Sequence, residues 1–264
     1  MGRQIRIIYF NFQIARFVIK LSNISHNYWV IVPAAGSGSR MASQRPKQYL
    51  PLHGKPILQH TLERLCLSRI AGIVVCLAKE DAYWETVTLP RTVLCVDGGT
   101  ERCHSVLNGL EALQHAEPND WVLVHDAARP CVRQADIEKL MNQLADHPVG
   151  GLLAVPVCDT IKRAWKNHSN THSFGKKQNI EIGETVNREG LWHALTPQMF
   201  RVKTLYQALQ SILNKGELVT DEAQAIEKMG LRPVLIEGHP DNIKITHPQD
   251  LNLAELFLQQ QANT

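Results

Sequence analysis

The stretch Tyr28-Trp29-Val30-Ile31-Val32-Pro33-Ala34-Ala35-Gly36-Ser37-Gly38-Ser39-Arg40-Met41 runs from an apolar strand straight into a glycine-rich turn. Such a turn lets backbone N–H groups come close to a phosphate, because glycine places no side chain in the way. Two common phosphate loops are excluded. A dinucleotide fingerprint needs a third glycine three residues after Gly38, where Met41 stands. A Walker A loop needs Gly-Lys-Ser/Thr, whereas Gly54-Lys55 is followed by Pro56. The turn is a phosphate-loop candidate of another kind.

Outward from this turn, short β-rich runs alternate with helical patterns. Residues 30–32, 72–77, 92–97, 121–126 and 151–157 read as strands apolar on both faces, and 57–68, 101–115 and 135–147 read as helices. Strand alternating with helix predicts an α/β fold: a Rossmann-like, mostly parallel sheet flanked by helices, with ligands at the carboxyl ends of the strands. Three strands end at notable residues: Pro33, Asp97 before Gly98-Gly99, and Asp126 before Ala127-Ala128-Arg129. Their loops are expected to face one pocket.

The alternation breaks after Val157. Residues 165–186 are polar and rich in Asn, Ser, His and Gly, which predicts a protruding β-arm over about 158–187. Helices at about 201–214 and 221–229, a strand near 233–237 and a closing helix at about 249–260 follow. Thr220-Asp221-Glu222 reads as an N-cap with acids in the first turn.

The chain has 264 residues and a formal charge of +3. It is expected to form a single domain over 29–264, preceded by an N-terminal extension, 1–28. The extension carries Arg3, Arg6, Arg16 and Lys20 and no acid, so 24 basic residues face 25 acidic ones in the remainder. It reads either as an organellar targeting segment or as a dispensable tail. The near-neutral body gives no duplex-binding surface, so no nucleic-acid partner is expected. Six scattered cysteines without a Cys-x-x-Cys pair suit a reducing, cytoplasmic setting. No apolar run is long enough to span a membrane, and the histidines show no metal-ligand spacing.

Gly36 and Gly38, followed by Arg40 and Lys47, combine backbone donors with cations able to neutralise a polyphosphate. Asp126 ends an apolar strand opposite this loop. It is placed either to hold Mg²⁺ or to cap the next turn. His125 reads as packing.

The segments PAAGSGSRM, PKQYL, DGGTER, VHDAARP, LWHALTPQ, TDEA and DNIKIT occur in this order through residues 29–260. Together they closely resemble the 2-C-methyl-D-erythritol 4-phosphate cytidylyltransferase family. The resemblance implies cytidylyl transfer from CTP to methylerythritol phosphate, with release of pyrophosphate and with Mg²⁺. It implies that Arg40 and Lys47 stabilise charge on the phosphates, and that Ala34, Ala35, Gly36, Gly38, Gly99, Thr100, Ser105 and Ala127 bind the nucleotide. Thr160, Arg188 and Lys244 would bind or orient the acceptor phosphate, with Arg129 and Thr220 nearby. A homodimer with exchanged arms is also implied. Ser39 stands where an arginine often precedes Arg40, and the stretch between Arg163 and Arg188 is longer than usual for the family. One rival keeps the chemistry but takes another polyol phosphate such as ribitol 5-phosphate. The arm and DNIKIT favour methylerythritol. The other rival is a non-catalytic nucleotide-binding regulator, against which the set Arg40, Lys47 and Asp126 argues.

Overall fold

The structure is a computed structural model that describes residues 26–36, 45–165 and 180–263. A seven-stranded sheet forms its centre. Its members are β1 (Tyr28–Pro33), β4 (Ile70–Leu77), β5 (Leu94–Asp97), β6 (Trp121–Val124), β7 (Gly150–Pro156), β10 (Trp192–Arg201) and β11 (Val234–Glu237). Two small hairpins stand apart: β2 (Pro51–Leu52) with β3 (Lys55–Pro56), and β8 (Ile161–Ala164) with β9 (Ile182–Val186). The helices are α1 (Ile57–Leu65), α2 (Arg102–Ala112), α3 (Gln134–Leu144), α4 (Val202–Leu213), α5 (Glu222–Lys228) and α6 (Gln249–Ala262).

The strand order is β11-β7-β10-β6-β1-β4-β5. β1 pairs in parallel with both β4 and β6. The chain leaves β1 toward β4 and β5, then returns to lay β6 on the other side. That reversal opens a crevice beyond the carboxyl ends of β1 and β6, where ligands bind in sheets of this kind.

The strands are apolar on both faces because helices cover both. Val30 and Val32 of β1 pack with Leu58, Leu62, Ile137 and Leu140 of α1 and α3. Ile31 points the other way, into Val106 and Leu110 of α2, Leu205 and Leu209 of α4 and Ile226 of α5. A third cluster joins the β2–β3 hairpin to α6 through Leu52, Ile57, Ala254 and Leu258, and it includes Ile245 and Ala128.

The sequence pattern located the parallel strands, α1 to α6 and β11 to within a few residues, but β10 was not foreseen. It runs antiparallel between β6 and β7. Its register with β7 shifts between Ala194 and Gln198, a stretch containing the cis Thr196-Pro197 bond. The core begins slightly earlier than expected. β1 starts at Tyr28, and the Asn27 N–H donates to Asp120 Oδ1 at 2.9 Å. Residues 1–25 of the extension and 166–179 of the arm lie outside the described residues.

Candidate active site

The three loops expected to converge do converge, around a cavity of about 350 Å³. Ala34, Ala35, Gly36, Lys47, Gly99, Thr100, Ser105, Asp126, Ala127 and Lys244 line it. Gly38 and Arg40 lie outside the described residues.

Backbone pairing carries the loops past the strand ends. The Ala34 N–H donates to Cys76 O at 2.8 Å, and the Gly98 N–H to Leu77 O at 2.7 Å. The buried Gln48 amide then donates to Ala34 O at 2.7 Å. A Cβ on Gly98 would stand 2.4 Å from the Ala35 Cβ, so these two loops touch through a space that only glycine leaves open. Ser105, on the first turn of α2, accepts from the Gly99 N–H at 3.0 Å. Its hydroxyl therefore braces the loop as well as facing the cavity.

Asp126 is the electrostatic centre. Its Oδ1 accepts from Arg102 Nε at 2.9 Å. Its Oδ2 accepts from Lys244 Nζ at 2.8 Å and from Arg129 Nε at 3.4 Å. Burial raises the carboxyl, but Arg102, Lys244 and Arg129 together outweigh burial and hold it well below the usual carboxylate range. Arg102 in turn clamps Glu222, its Nη1 and Nη2 standing 2.6 and 3.1 Å from the two carboxylate oxygens. Burial pushes the Glu222 carboxyl up, against the pull of Arg102.

His125 is wholly buried and, as expected, a packing group. Burial lowers its pKa to about 4, so the imidazole is neutral at physiological pH. Its Nε2–H donates to Arg129 O at 3.1 Å, which leaves Nδ1 to accept the Thr196 hydroxyl at 2.9 Å. The Thr196 oxygen accepts the Asp126 N–H at 3.1 Å. This chain of bonds fixes the backbone under the Asp126 carboxylate.

The DNIKIT segment reaches the cavity from the far end of the sequence. The Ile245 N–H donates to Ala128 O at 2.9 Å, and Ile245 O accepts Lys47 Nζ at 3.0 Å. Four expected residues are not on the wall. Arg129 lies buried behind it, donating from Nη1 to Asn242 O at 2.6 Å. Thr160, Arg188 and Thr220 are exposed and do not line the cavity, and the Arg188 guanidinium donates to Cys158 O at the arm base.

Sequence reasoning missed Arg102, Glu222, Gln48 and Thr196. Arg102 and Glu222 stood inside the quoted segments DGGTER and TDEA. Glu222 was read as a helix-dipole acid, and its burial at 1 % exposure is what demands a cationic partner.

Asp126 does not by itself suit a resident metal. Both its oxygens already accept cationic donors. Among the described residues no three His, Cys, Asp or Glu side chains come together as a ligand set. A divalent ion fits this wall as the companion of a polyphosphate, whose oxygens and waters would supply most of its ligands.

Comparison with known proteins agrees with the geometry. The family model described as 2-C-methyl-D-erythritol 4-phosphate cytidylyltransferase matches residues 28–260. A protein of that name from Hahella chejuensis is 52 % identical over 237 residues, covering 88 % of this chain and 93 % of its own. One from Shewanella oneidensis is 50 % identical over 246 residues, covering 91 % and 92 %. The crystal structure of the Francisella tularensis protein superposes with a TM-score of 0.72 at 33 % identity, covering 88 % of this chain and 99 % of that one. The Thermus thermophilus structure gives 0.68 at 29 % identity, covering 87 % and 98 %. The chain belongs to the 2-C-methyl-D-erythritol 4-phosphate cytidylyltransferase family.

Proposed function

We propose that the protein is a nucleotidyltransferase. It moves a cytidylyl group from CTP to 2-C-methyl-D-erythritol 4-phosphate, giving 4-diphosphocytidyl-2-C-methyl-D-erythritol and pyrophosphate. The observation that carries this reading is the cation cluster of Lys47, Arg102 and Lys244 on one cavity wall at the carboxyl ends of β1 and β6. Family membership over residues 28–260 supports the choice of substrates.

In this reaction a phosphate oxygen of the acceptor attacks the α-phosphorus of CTP. The new P–O bond forms as the bond to the bridging oxygen breaks, and pyrophosphate leaves with that electron pair. The acceptor oxygen is already anionic, so no protein nucleophile is required. Catalysis rests on alignment and on charge held ready for the transition state. Lys47 and Arg40 meet the phosphates and the departing pyrophosphate. Lys244, fixed by Asp126, orients the acceptor phosphate, with Arg188, Arg129, Thr160 and Thr220 on the acceptor side. Gly36 and Gly38 would leave room for the triphosphate beside the backbone. Ala34, Ala35, Gly99, Thr100, Ser105 and Ala127 hold the nucleotide. Mg²⁺ belongs to this proposal as the companion of the triphosphate and would supply charge neutralisation there.

Arm exchange in a homodimer is part of the proposal. Thr160 and Arg188 lie outside their own chain's cavity wall. The arm also presents Trp165, Ile180 and Ile182 at 62, 82 and 64 % exposure, apolar surface that a second copy would cover. A cytoplasmic location accords with six free cysteines. Among the described residues no helix is long and apolar enough to cross a membrane.

The deciding experiment is pyrophosphate release from CTP and Mg²⁺ with methylerythritol phosphate or ribitol 5-phosphate as acceptor. The reading requires turnover with the first and little with the second. CTP binding with no release from either acceptor would make the protein a nucleotide-binding regulator.

A further inference from the structure

Two helix starts meet at the edge of the cavity. Arg102 is the first residue of α2, and Glu222 is the first residue of α5. Their side chains form a two-pronged pair, with both Glu222 oxygens engaged at 2.6 and 3.1 Å and the remaining Arg102 Nε donating to Asp126 Oδ1 at 2.9 Å. Only a guanidinium has the flat fork needed to serve two carboxylates at once, and a lysine ammonium in its place would lose this geometry.

The Asp126 carboxylate is shared. Arg102 takes Oδ1, which turns Oδ2 toward Lys244 Nζ at 2.8 Å. Glu222 is 1 % exposed, whereas the Lys244 side chain is 40 % exposed and free to swing on its stem unless held. Glu222 is itself seated firmly, because the α5 N-terminus is anchored to β10. Gln198 Oε1 accepts the Ala223 N–H at 2.8 Å, and Gln198 Nε2 donates to Asp221 Oδ2 at 2.9 Å. A rigid relay thus runs from β10 through Gln198, Glu222, Arg102 and Asp126 to the lysine on the cavity wall.

We propose that Arg102 and Glu222 are positioning residues, which act through Asp126 to hold the Lys244 ammonium where the reacting phosphates meet. The inference rests on the transfer reaction proposed above and adds two residues to it. A merely structural salt bridge would change stability and leave the lysine in place. A positioning pair controls where the charge stands, and its loss falls on turnover more than on nucleotide binding.

The test uses Glu222→Gln, which keeps shape and one acceptor for Arg102 but removes the charge, with Arg102→Lys as the second variant. The first readout is independent of activity: the rate at which an amine-reactive acylating reagent modifies Lys244, followed by mass spectrometry against the exposed Lys203 in the same protein. Release of Lys244 from Asp126 should raise its relative rate severalfold in Glu222→Gln. The second readout is kinetic. The rate constant kcat should fall by roughly tenfold or more while CTP affinity, measured by calorimetry without acceptor, changes by less than about twofold. In an Asp126→Asn background, adding Glu222→Gln should lower kcat no further, because both changes cut the same relay. Unchanged Lys244 reactivity in a folded variant overturns the inference, whether or not the enzyme uses methylerythritol phosphate. So does full additivity with Asp126→Asn. If wild type fails to turn over, the proposed reaction is wrong, and the reactivity measurement still decides the relay.

Discussion

The backbone N–H of Ile245 donates to the carbonyl of Ala128 at 2.9 Å. This bond lays the DNIKIT segment against the loop after β6 and brings Lys244 onto Asp126 at 2.8 Å. The same Ile245 offers its carbonyl to Lys47 Nζ at 3.0 Å. One residue therefore spaces two cavity lysines, and the positive wall is assembled from three distant parts of the chain.

Lys47→Ala should lower turnover by roughly a hundredfold or more, the usual effect of deleting one preorganised charge donor. The bond lost to Ile245 O costs about 1 kcal/mol of stability, so the protein stays folded. Steady-state kinetics beside a thermal melt checks this, and near-normal turnover would remove Lys47 from the site.

Asp126→Asn should depress activity at every Mg²⁺ concentration without moving the midpoint of the metal titration. The amide keeps the shape but cannot hold Arg102, Lys244 and Arg129 together by charge. A titration shifted to higher Mg²⁺ with recovery of full rate would return Asp126 to the metal-ligand role suggested by its strand-end position.

Gly98→Ala should raise the KM for CTP. The added methyl would stand 2.4 Å from the Ala35 Cβ and 3.2 Å from Leu77 O, so the two nucleotide loops must part. Such overpacking costs about 1–3 kcal/mol, which corresponds to roughly a five- to 150-fold weakening if it falls on binding. An unchanged KM in a folded protein would show that the loops yield without cost.

His125 gives the fold a pH dependence of its own. Its folded pKa is lowered to about 4, against about 6.5 in an unfolded chain, so between these values the unfolded state binds more protons. The neutral imidazole's contribution is present above pH 6.5 and is lost as pH falls toward 4, amounting to about 3 kcal/mol. Urea unfolding at pH 7 and pH 5 should show about 2 kcal/mol of this loss in wild type and a smaller one in His125→Asn. Equal slopes in both proteins would refute it.

The proposed arm exchange makes a sharper prediction. Lys47→Ala and Arg188→Ala chains, each nearly inactive, are unfolded together and refolded. A mixed dimer with exchanged arms gathers both defects in one site and leaves the other intact, so random pairing restores roughly a quarter of wild-type activity. Self-contained sites recover nothing, even when mass spectrometry shows mixed dimers.

The parallel strands were legible because a strand covered on both faces has little choice but to be apolar, as Val122, Leu123 and Val124 are. β10 was not legible. Its sequence WHALTPQMFR carries a proline and a glutamine in mid-strand, features that argue against a central position. Here Gln198 is buried because its amide ties α5 to the sheet. The loops with Lys47, Gly99 and Lys244 could be read from their residue types. The Arg102–Glu222 pair could not, since its members lie 120 positions apart and periodicity carries no record of which charges meet.

β6 and β7 follow one another in the chain, yet β10 lies between them in the sheet. During synthesis the two cannot be joined until Arg201, the last residue of β10, has left the ribosome. Until then β6, at the edge of the β5-β4-β1-β6 half, has no partner beyond it, and an open edge of that kind invites pairing with the wrong strand. The late strand closes that edge. Its arrival also sets Thr196 beneath Asp126 at 3.1 Å, so the closing of that edge and the seating of the Asp126 backbone fall in one event, before Glu222 and Lys244 have been made.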